Sequence, residues 1–144
     1  MATPPPVTDT LARFVAETDY SAISDSALSN AKMHLLDTIG AGLAAVSTPV
    51  AAIAFDYCKR MGDSQEASIW GTNEKASAPM AAFTNGLLAH ALDFDDWDAY
   101  LRAGHPSSVI TAAALAIGES IGASGKDLLK AYVLGIEVLT QLAA

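Results

Sequence analysis

The densest chemistry in the sequence lies between His90 and Ser108, where His90-Ala91-Leu92-Asp93-Phe94-Asp95-Asp96-Trp97-Asp98 is followed by Gly104-His105-Pro106-Ser107-Ser108. Four carboxylates fall within six residues. Gathered after the C-terminal end of a helix, where the macrodipole is already negative, they repel one another and the helix end, so the arrangement costs free energy unless partners offset it. A solvated acidic loop is the plainest account of such a cluster. His105 argues for more. It directly precedes Pro106, which drives its backbone extended while the next helix starts at once, so the imidazole stands at a helix N-terminus. The free N–H groups near Ser107 and Ser108 form a seat for an anion such as a substrate carboxylate, with the imidazole placed to take or give a proton on the adjacent carbon. The rival account is a histidine that caps the helix or fills a polar gap.

Three other chemistries fit the spacing poorly. An EF-hand loop needs ligands at its first, third and fifth positions and Gly at the sixth, whereas Trp97 and Asp98 follow Asp93 and Asp95. Asp93-Phe94-Asp95-Asp96 has the D-x-D-D form of a terpene-cyclase acid, a four-letter match that recurs by chance in an acidic chain. A zinc site needs a third ligand beside His90 and His105, and neither His34 nor Cys58 stands at a metal spacing, so no metal is assigned. Flanked by Met33, Leu35 and Leu36, His34 reads as a half-buried core or interface residue. Cys58 reads as a small buried hydrophobe, and Trp70 as the anchor of a loop.

The elements that must position these residues are helices. Residues 1–7 contain Pro4, Pro5 and Pro6 and form an extended tail, and the helical domain spans 8–144. Thr8 or Asp9 caps a short helix through Glu17. From Ser26 to Val46, Leu28, Ala31, Leu35, Leu36, Ile39 and Leu43 recur at spacings of three and four, the stripe of a long helix. Thr48 caps a third helix, which Pro49 starts and Gly62 stops after Met61. Asp63 to Ser77 reads as a loop with at most a minimal extended segment near Ile69 and Trp70. Ser77 and Pro79 open a fourth helix through about Leu92, Pro106 and Ser107 a fifth to about Ile121, and Ser124 with Asp127 forms a capping-box start for a sixth. The fold class is therefore all-α, a bundle of five to six helices. The uncharged stretch from Thr38 to Phe55 is broken by Ser47, Thr48 and Pro49, so it reads as two helices and not as a membrane span.

Composition narrows the function. With 144 residues, 51% of them hydrophobic, the chain has enough apolar material for a packed domain. A formal net charge of −8 disfavours nucleic acid and anionic membrane surfaces as partners. A single cysteine and the lack of a basic, apolar leader point to the cytoplasm. The 29 alanines and 10 glycines let helix axes approach closely, and such helices want many neighbours. The last helix is still apolar at Leu142 and carries no stop signal, so the fold is expected to continue beyond it.

Four stretches, in order, give the chain a family likeness: AKMHLLDTIGAG at 31–42, NGLLAHALDFDD at 85–96, GHPSS at 104–108 and SGKDLLKAYVLGIEV at 124–138. Together they resemble the MmgE/PrpD family of 2-methylcitrate dehydratases and cis-aconitate decarboxylases. The resemblance implies a cofactor-independent lyase that dehydrates or decarboxylates a small di- or tricarboxylate by proton transfer beside a carboxylate. It also implies a homodimer and a longer chain, in which a large helical domain is joined by an α+β lid and by a later histidine and lysines. Carried over by position, Asp93 and His105 are catalytic, with His105 the general acid/base and Asp93 its orienting or proton-handling partner. His90, Asp96, Trp97 and Ser107 are the expected substrate contacts. Trp97 stands where the family often has a small hydroxyl residue. A polycarboxylate needs cations, and Arg102 is the nearest in sequence, so this segment alone is expected to be a poor catalyst. The alternative is a non-catalytic helical dimerisation module derived from such an enzyme.

Overall fold

Local signals convert into helices almost where the sequence places them. The computed structural model describes residues 6–62, 64–98 and 104–143. It contains α1 (Val7–Glu17), a single 3₁₀ turn (Tyr20–Ala22), α2 (Asp25–Ala44), α3 (Pro49–Arg60), β1 (Ala67–Ser68), β2 (Lys75–Ala76), α4 (Ala78–His90), α5 (Pro106–Ile121) and α6 (Gly125–Ala143). Ser24 caps α2 by accepting from the Ala27 amide at 3.2 Å, and Thr48 caps α3 by accepting from Ala51 at 3.2 Å. Pro49 at the start of α3 turns it 92° away from α2. The capping box of α6 is complete: the Asp127 amide donates to Ser124 Oγ at 3.3 Å, while the Ser124 hydroxyl and amide donate to the Asp127 carboxylate at 2.7 and 3.0 Å. Those bonds, the hydroxyl's first, hold the Asp127 carboxyl below its ordinary range.

Three expectations shift. The first helix begins at Val7 with Pro6 as its N-cap residue and no side-chain cap, so Thr8 and Asp9 lie inside its first turn. The segment before α4 forms a two-residue antiparallel hairpin pairing Ala67 with Ala76 and Ser68 with Lys75. Ser77 does not cap α4 through its side chain; Glu66 reaches across the hairpin and accepts from the Ala78 amide at 3.1 Å. A hydrogen bond from Ser64, reinforced by that amide, keeps Glu66 below the usual carboxylate range. The hairpin is therefore the cap of the helix that ends at His90.

Small residues make α4 the centre of the molecule. It packs against α2, α3 and α5, and its Ala81, Leu88 and Ala89 are fully buried. Ala51 on α3 and Ala112 on α5 close the same layer with Trp70. Close approach matters at Gly42, where a Cβ would stand 2.7 Å from the Trp70 ring, so glycine lets that indole come close to α2. Burying Leu88 is worth about 1.5–3 kcal/mol, and it fixes the last turn before His90. Cys58 is buried and Trp70 anchors its loop as expected. Among the described residues no single helix is long and apolar enough to cross a membrane.

Candidate active site

α4 ends at His90, and the chain must turn at once to bring the acidic segment back over the helix. Asp93 makes that turn. Its φ of +50° lies in the left-handed region, which aspartate tolerates better than most residues, and its amide donates to the His90 carbonyl at 3.0 Å. Further on, the Asp98 amide donates to the Gly104 carbonyl at 2.8 Å, and Gly104 itself has φ +68°. This bridge returns the chain so that His105, the N-cap residue of α5, lands beside the residues that follow α4. Arg102 lies outside the described residues.

Four side chains converge there. His90 Nδ1 lies 2.9 Å from Asp95 Oδ1, and His105 Nδ1 lies 3.4 Å from the same oxygen. His105 Nε2 is 3.6 Å from Asp93 Oδ1, so the two residues expected to be catalytic do share one site. The imidazole rings are tilted at 59° with centroids 4.4 Å apart. Exposure divides the roles: the Asp95 side chain is wholly buried, His105 is 28% exposed and Asp93 is 80% exposed. Asp95, which sequence reading did not single out, is thus the centre of the cluster. Its Oδ2 is buried without a hydrogen-bond partner among the described residues, as is His105 Nδ1.

A second group corrects the anion seat. Asp96 accepts from the Ser107 amide at 3.1 Å and from the Ser107 hydroxyl at 2.6 Å, so the start of α5 already holds a carboxylate supplied by the protein itself. Ser107 is fully buried and its hydroxyl also meets the Tyr132 hydroxyl at 2.5 Å. Asp96 and Ser107 therefore clamp the acidic segment to α5 and α6, because their polar atoms are spent on each other. His34 is not a core residue: its side chain is 47% exposed, and its Nδ1 stands 3.7 Å from Asp96 Oδ2. An open groove of about 640 Å³ runs past Asn30, His34, Asp96, Trp97, Pro106 and Tyr132. Trp97 projects along it, 71% exposed.

Tyr132 is buried on α6, and its hydroxyl gives it a task beyond packing. Burial pushes the phenol up to about 12, against the Ser107 hydrogen bond that lowers it and with the Asp96 charge that raises it further. The folded-state value exceeds the roughly 10 of a free phenol. The stability contributed by neutral Tyr132 is therefore complete below pH about 10 and is lost as pH climbs through about 12. An alkaline absorbance titration is expected to contain one late phenol near 12 that disappears in Tyr132→Phe; a titration unchanged by that substitution rejects the assignment.

Comparison with known proteins gives the chain its relatives. Residues 9–144 match the MmgE/PrpD N-terminal domain. The chain is 36% identical over 141 residues to the cis-aconitate decarboxylase of Homo sapiens, covering 94% of this chain and 29% of that protein. It is 30% identical to the cis-aconitate decarboxylase of Mus musculus, over 94% of this chain and 28% of the relative. It is 34% identical to a cis-aconitate decarboxylase-like protein, oryM, of Aspergillus oryzae (strain ATCC 42149 / RIB 40), over 91% of this chain and 28% of the relative. The chain thus spans less than a third of the length of each of these relatives.

Proposed function

Since the chain belongs to the MmgE/PrpD family and matches its N-terminal domain, we propose that it supplies the acid/base residues of a lyase acting on a small di- or tricarboxylate, with cis-aconitate the first compound to test. The observation that carries this reading is His105, partly exposed at the start of α5 and within 3.6 Å of one aspartate and 3.4 Å of another. An imidazole so placed can hold a proton against two carboxylates and still reach a ligand.

In a dehydration, His105 takes the proton from the carbon beside the substrate carboxylate, and the electron pair forms the double bond as hydroxide leaves with a proton. In a decarboxylation, the C–C pair released as CO₂ departs is carried to carbon and quenched by the proton that His105 holds. The imidazolium left by dehydration gives its proton to the departing hydroxide, which leaves as water, and the neutral imidazole left by decarboxylation takes a fresh proton from solvent, so each cycle closes. Asp93, exposed and 3.6 Å from Nε2, orients the ring and handles its proton. Asp95, buried beneath, fixes both imidazoles. His90 and Trp97 are the residues assigned to substrate contact, while Asp96 and Ser107 position the loop. With three aspartates at the site, the cations that a polycarboxylate requires come from groups outside these helices.

Turnover of a panel of di- and tricarboxylates by the full-length protein, followed by CO₂ release and by alkene absorbance, tests the reading. Asp93→Asn is expected to lower kcat by about tenfold or more with an unchanged melting temperature, since its side chain is 80% exposed. Absence of turnover across the panel would favour the non-catalytic dimerisation module.

A further inference from the structure

We propose that His90, Asp93, Asp95 and His105 bind a divalent transition-metal ion of the zinc class, and that the bound ion shuts off proton transfer at the same site. One ligand atom from each residue lies within 4.8 Å of all the others. Zinc bonds to imidazole nitrogen and carboxylate oxygen run about 2.0–2.2 Å, which in a tetrahedron puts neighbouring ligand atoms a little over 3 Å apart. With His105 binding through Nδ1, its 3.4 Å and the 2.9 Å of His90 Nδ1 from Asp95 Oδ1 already bracket that value. The remaining adjustment falls on Asp93, which stands nearest the other nitrogen of His105 and whose side chain is 80% exposed.

An independent observation points to a cation. The Asp95 side chain is wholly buried between the two imidazoles, yet its Oδ2 has no hydrogen-bond partner among the described residues, and neither has His105 Nδ1. A buried carboxylate oxygen left unpaired is costly, and a metal ion on this carboxylate would offset that cost. The donor set selects the ion. Two nitrogens and two carboxylates suit zinc, whereas magnesium and calcium favour oxygen ligands throughout. Sequence spacing hides the site because the aspartates come into reach of the two histidines only through the left-handed turn at Asp93.

The ion is an occupant that competes with the proton, not a reagent of the reaction. Binding rests on the four side chains alone; inhibition rests on the acid/base reading above. Titration of the full-length protein with ZnCl₂, followed by calorimetry, is expected to give one site with a dissociation constant on the order of micromolar or tighter. Asp93→Asn and His90→Gln, both partly exposed and checked by circular dichroism, are each expected to weaken it by at least the roughly 10–100-fold that even outer-shell losses cost. MgCl₂ is expected to leave the site unfilled. No zinc binding, zinc binding indifferent to both substitutions, or equal binding of magnesium overturns the site. Stoichiometric zinc should also abolish turnover, reversibly with EDTA. Cluster-dependent binding with undiminished turnover would uphold the metal site and overturn the acid/base role of His105.

Discussion

His105→Ala in the full-length protein is expected to lower kcat by about two orders of magnitude or more, the scale of a lost general acid/base, with little change in melting temperature. The two halves of that expectation have separate causes. Activity falls because no other imidazole can substitute: His90 is engaged with Asp95 at 2.9 Å, and His34 lies by Asp96 in the second group. Stability holds because His105 makes no side-chain cap bond to α5, and the helix start is secured by Asp96 on the Ser107 amide and hydroxyl. The ring also leaves Asp95 with a partner, since the His90 contact is independent of it. Steady-state kinetics on the preferred carboxylate, with thermal melts of the same preparations, separates the two. Wild-type turnover in the variant would return the segment to a polar loop with a histidine at its edge.

The parts of this fold legible in the sequence are those fixed within one helical turn. Thr48 and Pro49, Ser124 and Asp127, and the three-to-four spacing from Leu28 to Leu43 each act over a few residues, and each appears in the structure at or within two residues of its expected place. What escaped acts at a distance. Glu66 caps α4 from twelve residues away, because the hairpin that brings it there is closed by tertiary packing. Asp96 fills the anion seat of α5 from eleven residues away, and Tyr132 reaches Ser107 across twenty-five. The candidate site was half legible for the same reason. Asp93 and His105 could be paired by family resemblance, but which of four neighbouring carboxylates is buried depends on the backbone turn at Asp93. That turn puts Asp95 inward and leaves Asp93 in solvent.

Asn85 opens the motif that ends in the acidic segment, and its structural duty leads to the second large effect. Its side chain is 1% exposed and spans the gap between α4 and the hairpin: Oδ1 accepts from the Trp70 amide at 2.9 Å, and Nδ2 donates to the Ser68 carbonyl at 2.9 Å. Asn85→Leu keeps the volume and removes both bonds, leaving the buried Trp70 amide without its partner at about 1–3 kcal/mol and the part-buried Ser68 carbonyl to find solvent at a smaller cost. With the carbonyl adding less than the amide, a total loss of about 2–4 kcal/mol is expected. At about 2–4 °C per kcal/mol for a domain of this size, the melting temperature falls by roughly 5–15 °C. Trp70 transmits the damage, since its ring rests on Gly42 and an unpinned amide lets that contact slide. The hairpin does not detach altogether, because Glu119 on α5 still accepts from the Ser68 amide and hydroxyl at 2.9 and 2.7 Å. Asn85→Leu combined with Glu119→Ala is therefore expected to lose more stability than the two single losses added together, as both tethers hold one segment. A melting temperature within about 2 °C of wild type for Asn85→Leu, or simple additivity in the double variant, would show that the hairpin is held by its apolar contacts instead.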